Sequence, residues 1–330
     1  MFRATLGFQD GGSFQLDVQP GQTIVEAALE AEAPLRSDCM TGKCGSCIGR
    51  CADGRVVRET ADQSVVSPEE EASGIYPTCL TRLESDARFE FDYPLSPRPS
   101  DPARHRGELV AIDRLAASVS RLTIRLEEPD AFRFQPGQYL RLRPPGLRVA
   151  RAYSIASSPA GLPLVELLIR HVPGGQVTGW LEGAAAPGAL LTLQGPLGGF
   201  ALDDRAARAV FVAGGTGLAP ALAMIRANAR RMPMLLCFGC TRREELFLHE
   251  ELRALEAATP GLEIRIALME GAAGDVREGT AVALLAREPV EGASYHLCGP
   301  PGMVDAARAV LRAEGVSHHQ IRAERFAVGA

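Results

Sequence analysis

Cys39-Met40-Thr41-Gly42-Lys43-Cys44-Gly45-Ser46-Cys47, followed after 31 intervening residues by Cys79, is the stretch from which the N-terminal architecture can be read. C-x4-C-x2-C with a distant fourth cysteine is the plant-type ligand spacing for a [2Fe–2S] cluster. A structural zinc site would show two close pairs, and Cys79 has no such neighbour. Thr41, Gly42, Gly45 and Ser46 are small, so backbone N–H groups can approach the cluster sulfurs and tune the potential. Gly42 and Gly45 also admit the positive φ that a tight loop around two irons needs. Lys43 is the only lysine of the chain, and a role in the loop or mere survival in an arginine-biased composition both stay open. Cys237-x-x-Cys240 looks like a second pair, but strand alternation sends an offset of three to opposite faces. Cys51 falls outside the pattern and reads as a small buried hydrophobe. Eight cysteines in 330 residues is not disulfide-scaffold density.

Around this loop, Phe14 to Val18 alternates like a half-buried strand and Thr23-x-x-Glu26 forms a capping box ahead of a helix. Ser67-Pro68 opens a second short helix, and Phe89 to Asp92 alternates as a closing strand. Four prolines between Pro94 and Pro102 then make an extended spacer. The expected divisions are 1–93, a linker at 94–106, 107–205 and 206–330. The second block holds short alternating runs (109–112, 122–126, 139–142, 165–169, 190–193) that suggest an antiparallel barrel or sandwich. The third alternates buried strands (209–213, 234–238, 264–268, 295–298) with helices (218–231, 244–257, 281–286, 303–313), the rhythm of a parallel sheet.

The formal charge is −5, from 35 basic and 40 acidic residues, so no global positive field favours nucleic acid. Residues 1–93 carry 8 basic and 16 acidic side chains, an acidic module suited either to a docking partner or simply to water. No apolar run reaches membrane-spanning length, and the expected location is cytoplasmic.

Two further constellations carry chemistry. Arg151-Ala152-Tyr153-Ser154 ends a strand, and alternation sets Arg151 and Tyr153 on one face, a phosphate clamp beside a stacking ring, although an exposed strand edge reads the same way. Downstream, Gly174-Gly175-Gln176-Val177-Thr178 opens a short helix whose N–H groups suit a pyrophosphate. Gly214-Gly215-Thr216-Gly217 and Cys298-Gly299-Pro300-Pro301-Gly302-Met303 both occupy strand-to-helix turns at the carboxyl end of one sheet, where a crevice forms. Close packing alone could also demand those glycines, and Cys298 could be an ordinary core residue.

Residues 1–93 resemble a plant-type ferredoxin domain, and the rest resembles the flavin and NAD(P)H domains of the ferredoxin-NADP reductase superfamily. The resemblance implies a multidomain α+β and α/β chain: an N-terminal β-grasp ferredoxin, a central antiparallel β-barrel FAD domain and a C-terminal parallel-sheet α/β NAD(P)H domain. It makes Cys39, Cys44, Cys47 and Cys79 the cluster ligands. Arg151 would contact the FAD phosphate, Ala152 and Tyr153 would line the isoalloxazine, and Ser154 would lie near flavin N5. His171, Val172, Gly175, Gln176, Val177 and Thr178 would follow the dinucleotide, with Thr178 at the pyrophosphate. Gly215, Thr216, Gly217, Cys298 and Gly299 would hold NADH, and Phe326 resembles a flavin-shielding aromatic with four residues after it. Ser154, Cys298 and Glu324 would stand at the reacting atoms. Arg242 and Arg243 follow the second strand of the NAD(P)H block, where arginine can pair with a 2′-phosphate, which leaves NADPH open beside NADH. Met40 stands where many relatives carry a smaller or polar residue.

The domain order resembles the reductase component of bacterial ring-hydroxylating dioxygenases of the benzoate and anthranilate type. Hydride carries two electrons and iron–sulfur acceptors take one, so a flavin must stand between them. The implied path is NADH to FAD to [2Fe–2S] to a terminal oxygenase acting on an aromatic substrate. Reductases of soluble di-iron monooxygenases and of deoxysugar dehydration systems share the architecture. A non-enzymatic iron–sulfur sensor accounts for the first module alone.

Overall fold

The structure, a computed structural model, describes residues 1–31, 33–37, 40–42, 45–59, 64–93, 95, 103–228, 232–285 and 291–326. Cys39, Lys43, Cys44, the proline-rich segment 94–102 apart from Leu95, Ala286 and the four residues after Phe326 lie outside them. The chain divides into two units, 1–101 and 102–330.

In the first unit, alternation along β1 (Phe2–Gly7) and β2 (Ser13–Val18) buries Ala4, Leu6, Leu16 and Val18, and the antiparallel pair sets Phe2 against Val18. The expected capping box starts α1 (Ile24–Glu30): Glu26 N–H donates to Thr23 Oγ1 (3.2 Å) and Thr23 N–H to Glu26 Oε2 (2.8 Å). β3 (Ile48–Asp53), β4 (Val56–Arg58), α2 (Pro68–Ala72), β5 (Ile75–Pro77), β6 (Thr81–Leu83) and β7 (Ala87–Glu90) follow. The sheet runs β2-β1-β7-β3-β5 with β1 and β7 parallel, while β4 and β6 form a separate ribbon. Ile24, Val25, Ala27 and Ala28 of α1 share one core with Leu6, Leu16 and Phe89, which gives the β-grasp arrangement.

The second unit begins with β8 (Arg104–Ala116), β9 (Val119–Leu126), β10 (Tyr139–Arg143), β11 (Arg151–Ser154), β12 (Leu164–Arg170), α3 (Gln176–Gly183) and β13 (Leu190–Leu197). The strands pair antiparallel in the order β11-β10-β13-β8-β9-β12, and a bridge between Ile155 and Leu167 joins the outer two into a barrel. Leu109, Leu122, Ile124, Leu140, Leu167 and Leu193 fill it.

β14 (Arg208–Gly214), α4 (Leu218–Arg226), β15 (Met234–Cys240), α5 (His249–Ala258), β16 (Leu262–Leu268), β17 (Arg277–Glu278), β18 (Ala293–Gly299), α6 (Pro301–Ala313) and β19 (Ile321–Arg325) complete the chain. Their sheet is wholly parallel, ordered β17-β16-β15-β14-β18-β19. β14 is covered on both faces, which explains its continuous apolar run. Val119, Ala156, Leu168 and Phe200 of the barrel half join the core around α4, so the two halves of this unit share packing.

Four local expectations change. The helix expected over 218–231 ends at Arg226, with Ala227 as its C-cap. The helix expected from Glu244 begins at His249, because Phe247 turns into the core against Phe238 (5.6 Å between centroids) and Leu248 takes a φ of 58°. The segment expected as a helix at 281–286 holds a single 3-10 turn, Val282–Leu284, too short to propagate as an α-helix. Cys51 is half-buried, and its thiol donates to the Asp53 carbonyl (3.4 Å).

Candidate functional site

Cys47 and Cys79 are both buried, and Thr78 ties their segments together. Its N–H (3.1 Å) and its fully buried hydroxyl (2.7 Å) both donate to the Cys47 carbonyl. Cys39 and Cys44 lie outside the described residues. The loop between takes left-handed backbone at Met40 (58°), Gly42 (72°) and Gly45 (74°), and a Cβ on Gly42 would sit 2.5 Å from Leu80 Cδ1. The buried Ser46 hydroxyl has no hydrogen-bond partner among the described residues. A buried hydroxyl beside soft thiolates in a loop of positive φ fits a [2Fe–2S] cluster, whose sulfurs accept such donors.

The Cys237 and Cys240 pair has a different character. Cys237 is buried and Cys240 half-buried on β15, and burial pushes both thiols up to about 12. An offset of three along one strand sends the two side chains to opposite faces, so the pair does not converge on one ion.

On β11, Arg151 and Ala152 are exposed, Tyr153 is half-buried and Ser154 is buried. Tyr153 pairs with Leu140 and Ser154 with Tyr139 across the β10 ladder. Burial raises the Tyr153 phenol to about 12, with Arg151 opposing, so the ring is neutral and suited to stacking. Gln138 secures this end of the barrel: its carbonyl accepts from Ile155 N–H (3.0 Å) and its amide donates to the Gly198 carbonyl (3.1 Å).

α3 opens at Gly175 with no side-chain cap, so the N–H groups of Gln176, Val177 and Thr178 have no acceptor within the helix and face an anion-compatible end. The Thr178 hydroxyl donates back to the carbonyls of Val172 (2.8 Å) and Gly175 (3.1 Å), so Thr178 can offer a pyrophosphate its N–H but not its hydroxyl hydrogen. His171 is the hinge of this turn. Its ring meets Ser120 Oγ (2.8 Å) on β9 and Glu182 Oε1 (3.0 Å) on α3, with Arg114 of β8 alongside. His171 therefore anchors the helix that Gly175 begins. The uncapped donors and the basic strand fit FAD.

The third site lies where strand order reverses between β14 and β18, the switch point at which parallel sheets bind nucleotides. Gly215 takes a φ of 55°, and a Cβ on Gly217 would lie 2.1 Å from the Cys298 carbonyl, so only glycine lets the two turns meet. That cradle, with Thr216 half-buried between the glycines, fits a dinucleotide phosphate. Cys298 stands directly opposite Glu324 on β19, and Phe326 N–H donates to the Gly299 carbonyl (2.8 Å) while its ring packs on the shared core. Burial, then Glu324, holds the Cys298 thiol well above its ordinary range. Glu324 Oε1 lies 3.8 Å from where a Cβ on Gly198 would sit, and that position also abuts the Tyr139 ring. Ser154, Tyr139, Gly198, Glu324 and Cys298 thus form one run of neighbours leading from β11 to the crevice between β14 and β18.

Arg242 and Arg243 are exposed just beyond β15, and Arg242 Nε donates to Glu270 Oε2 (3.1 Å). Sequence reasoning missed Thr78, the Tyr139–Gly198 contact and Glu270. It also missed Arg226 at the end of α4, which donates to Glu166 Oε2 (2.6 Å) and to the Ala156 carbonyl (3.2 Å) behind the flavin strand. Of these, Gly198-Gly199 after a strand was a usable signal of close approach.

No helix among the described residues is long and apolar enough to cross a membrane. Residues 8–84 match the family described as 2Fe-2S iron-sulfur cluster binding domain, 106–202 the oxidoreductase FAD-binding domain and 211–309 the oxidoreductase NAD-binding domain. The chain is 30% identical to the toluate 1,2-dioxygenase electron transfer component of Pseudomonas putida, over 98% of each chain. It is 33% identical to the xylene/toluene monooxygenase electron transfer component of the same species, over 96% of this chain and 92% of that one. The crystal structure of an Amycolatopsis cytochrome P450 reductase is similar at 29% identity and a TM-score of 0.69, covering 99% of both chains. With all three domains matched in order along its length, the chain belongs to the electron-transfer components of oxygenase systems, reductases of the ferredoxin-NADP reductase type with a 2Fe-2S domain ahead of the FAD- and NAD-binding domains.

Proposed function

We propose that this chain is the cytoplasmic NADH-dependent reductase of a ring-hydroxylating dioxygenase that acts on an aromatic substrate, organised as a ferredoxin domain (1–93), a linker (94–106), an FAD barrel (107–205) and an NAD(P)H domain (206–330). The observation that carries the reading is the run of neighbours from Ser154 to Cys298, which connects a flavin-type strand to a nucleotide-type crevice.

When bound, NADH supplies a hydride, FAD converts that two-electron input into single electrons, and the [2Fe–2S] cluster passes them on. Each residue has a share in that task. Arg151 and the N–H groups of Gln176 to Thr178 would bind the flavin's phosphates, while Tyr153 and Ala152 would orient its ring and Ser154 would lie near N5. Gly215, Thr216 and Gly217 would seat the nicotinamide dinucleotide, with Cys298, Glu324 and Phe326 beside it. Cys39, Cys44, Cys47 and Cys79 would ligate the irons. The aromatic substrate and the oxygen belong to the partner oxygenase.

The similarity to a monooxygenase electron transfer component favours one second reading, in which a monooxygenase is the acceptor in place of a dioxygenase. Purified protein should show flavin and ferredoxin-type absorption and reduce cytochrome c with NADH. Absence of both chromophores after anaerobic reconstitution with iron, sulfide and FAD overturns the proposal. Coupled turnover with the native oxygenase separates the two acceptors.

A further inference from the structure

Beyond the strand ends of β15 and β16, the two segments keep pairing: Met269 N–H donates to the Cys240 carbonyl (3.3 Å) and Glu270 N–H to the Thr241 carbonyl (3.0 Å). This brings Glu270 beside Arg242, whose Nε donates to Glu270 Oε2 at 3.1 Å. A second carboxylate closes on the same turn, where Glu245 Oε2 accepts from Thr241 N–H (3.3 Å), and Glu244 precedes it in the chain. At the rim of the sheet the Arg242 guanidinium is therefore already engaged by a carboxylate, with Glu245 closing the same turn. In βαβ nucleotide folds the end of the second strand meets the adenosine ribose, where a carboxylate suits a 2′-hydroxyl and an unpaired arginine suits a 2′-phosphate. Arg242 taken alone signals the second case; its pairing reverses that signal.

We propose that Glu270, acting through its ion pair with Arg242, is the residue that makes this chain discriminate against 2′-phosphorylated dinucleotides. The inference rests on the NADH-reductase reading and deepens it. A 2′-phosphate brings nearly two negative charges up against the Glu270 carboxylate. It must also compete with Glu270 for the guanidinium, whose planar fork otherwise matches phosphate. Both Arg242 and Glu270 side chains are 64% exposed, so the pair is a weak surface pair that a substitution can open without disturbing the fold.

The test is calorimetric binding of adenosine 2′,5′-bisphosphate and of 5′-AMP to the flavin-loaded full chain, wild type against Glu270→Gln, with steady-state NADPH and NADH turnover alongside. Neither probe carries a nicotinamide, so binding is read independently of hydride transfer. Expected is an affinity for the bisphosphate that rises about tenfold in Glu270→Gln, the scale of one charge-assisted contact, with 5′-AMP unchanged. The NADPH-to-NADH ratio of kcat/KM should rise in parallel, and Arg242→Gln added to Glu270→Gln should erase the gain. An unchanged bisphosphate-to-AMP ratio in Glu270→Gln overturns the inference, as does a wild-type chain that already prefers the bisphosphate. Failure of the wild type to oxidise NADH with any acceptor instead removes the functional reading beneath it.

Discussion

Cys298 and Glu324 face each other across adjacent parallel strands, 2% and 4% exposed, so a carboxylic group and a thiol share one dry position at the mouth of the nucleotide crevice. Burial, with the Glu324 carboxylate adding to it, keeps the thiol protonated, so Cys298 acts as a small neutral wall beside the carboxyl group. Glu324→Gln should keep its flavin and bind NADH with similar affinity, while flavin reduction slows by about 10²-fold, the scale of one lost electrostatic contact at a reacting group. Stopped-flow absorbance after mixing with NADH measures this; an unaltered rate would assign Glu324 to packing.

The hydroxyl of Thr78 supports cluster geometry from outside the ligand set. Thr78→Val removes one of two donors to the Cys47 carbonyl and should cost about 0.5–1.5 kcal/mol in the first unit. The visible cluster bands should bleach several-fold faster in air, while NADH-dependent ferricyanide reduction, which needs only the flavin, stays at the wild-type rate. Cys44→Ser should abolish the bands outright with the same ferricyanide activity. Equal loss of both readouts would contradict independence of the two units.

Arg226 joins the nucleotide half of the second unit to the barrel half through Glu166 and the Ala156 carbonyl, and Glu251 links in turn to Arg121 (3.0 Å). Arg226 and Glu166 are about a quarter exposed, so solvent screens the pair in part. Arg226→Gln should lower stability by about 1 kcal/mol and slow flavin reduction at saturating NADH more than it raises KM. A change confined to KM would place Arg226 in dinucleotide binding.

His296 on β18 lies stacked on Phe211 (5.2 Å) with its edge region toward Phe200 (5.6 Å), and full burial drops its imidazole to about 3, with Arg322 adding to the effect. The folded protein excludes a proton that the unfolded chain accepts near pH 6.5. The associated stability is complete above pH 6.5 and is lost as pH falls toward 3, at up to about 1.4 kcal/mol per pH unit. His296→Gln should flatten the acid limb of urea-unfolding free energy plotted against pH by that slope. An unchanged limb would mean that other groups drive acid unfolding.

Much of this architecture was legible because its signals are local. Thr23 with Glu26, and Ser67 with Glu70, announce helix starts within four residues, and the cysteine spacing and glycine turns are equally short-range. The late start of α5 was hidden because Phe247 answers to Phe238, a residue on another element. Thr78 and Cys47 are 31 residues apart, Arg242 and Glu270 are 28 apart, and Arg226 reaches Glu166 across 60, so no window of sequence contains both partners. Arg242 shows the cost of that limit: its identity suggests phosphate, and only its neighbour reveals that the guanidinium already has a carboxylate.

α4 begins at the Gly215–Gly217 turn and ends at Arg226, which grips the Ala156 carbonyl two residues past β11. Nine helical residues make a stiff ruler of about 13 Å. Inserting one residue would rotate Arg226 by about 100° away from Glu166. The gauge between the nucleotide turn and the barrel is thus written into a single rod.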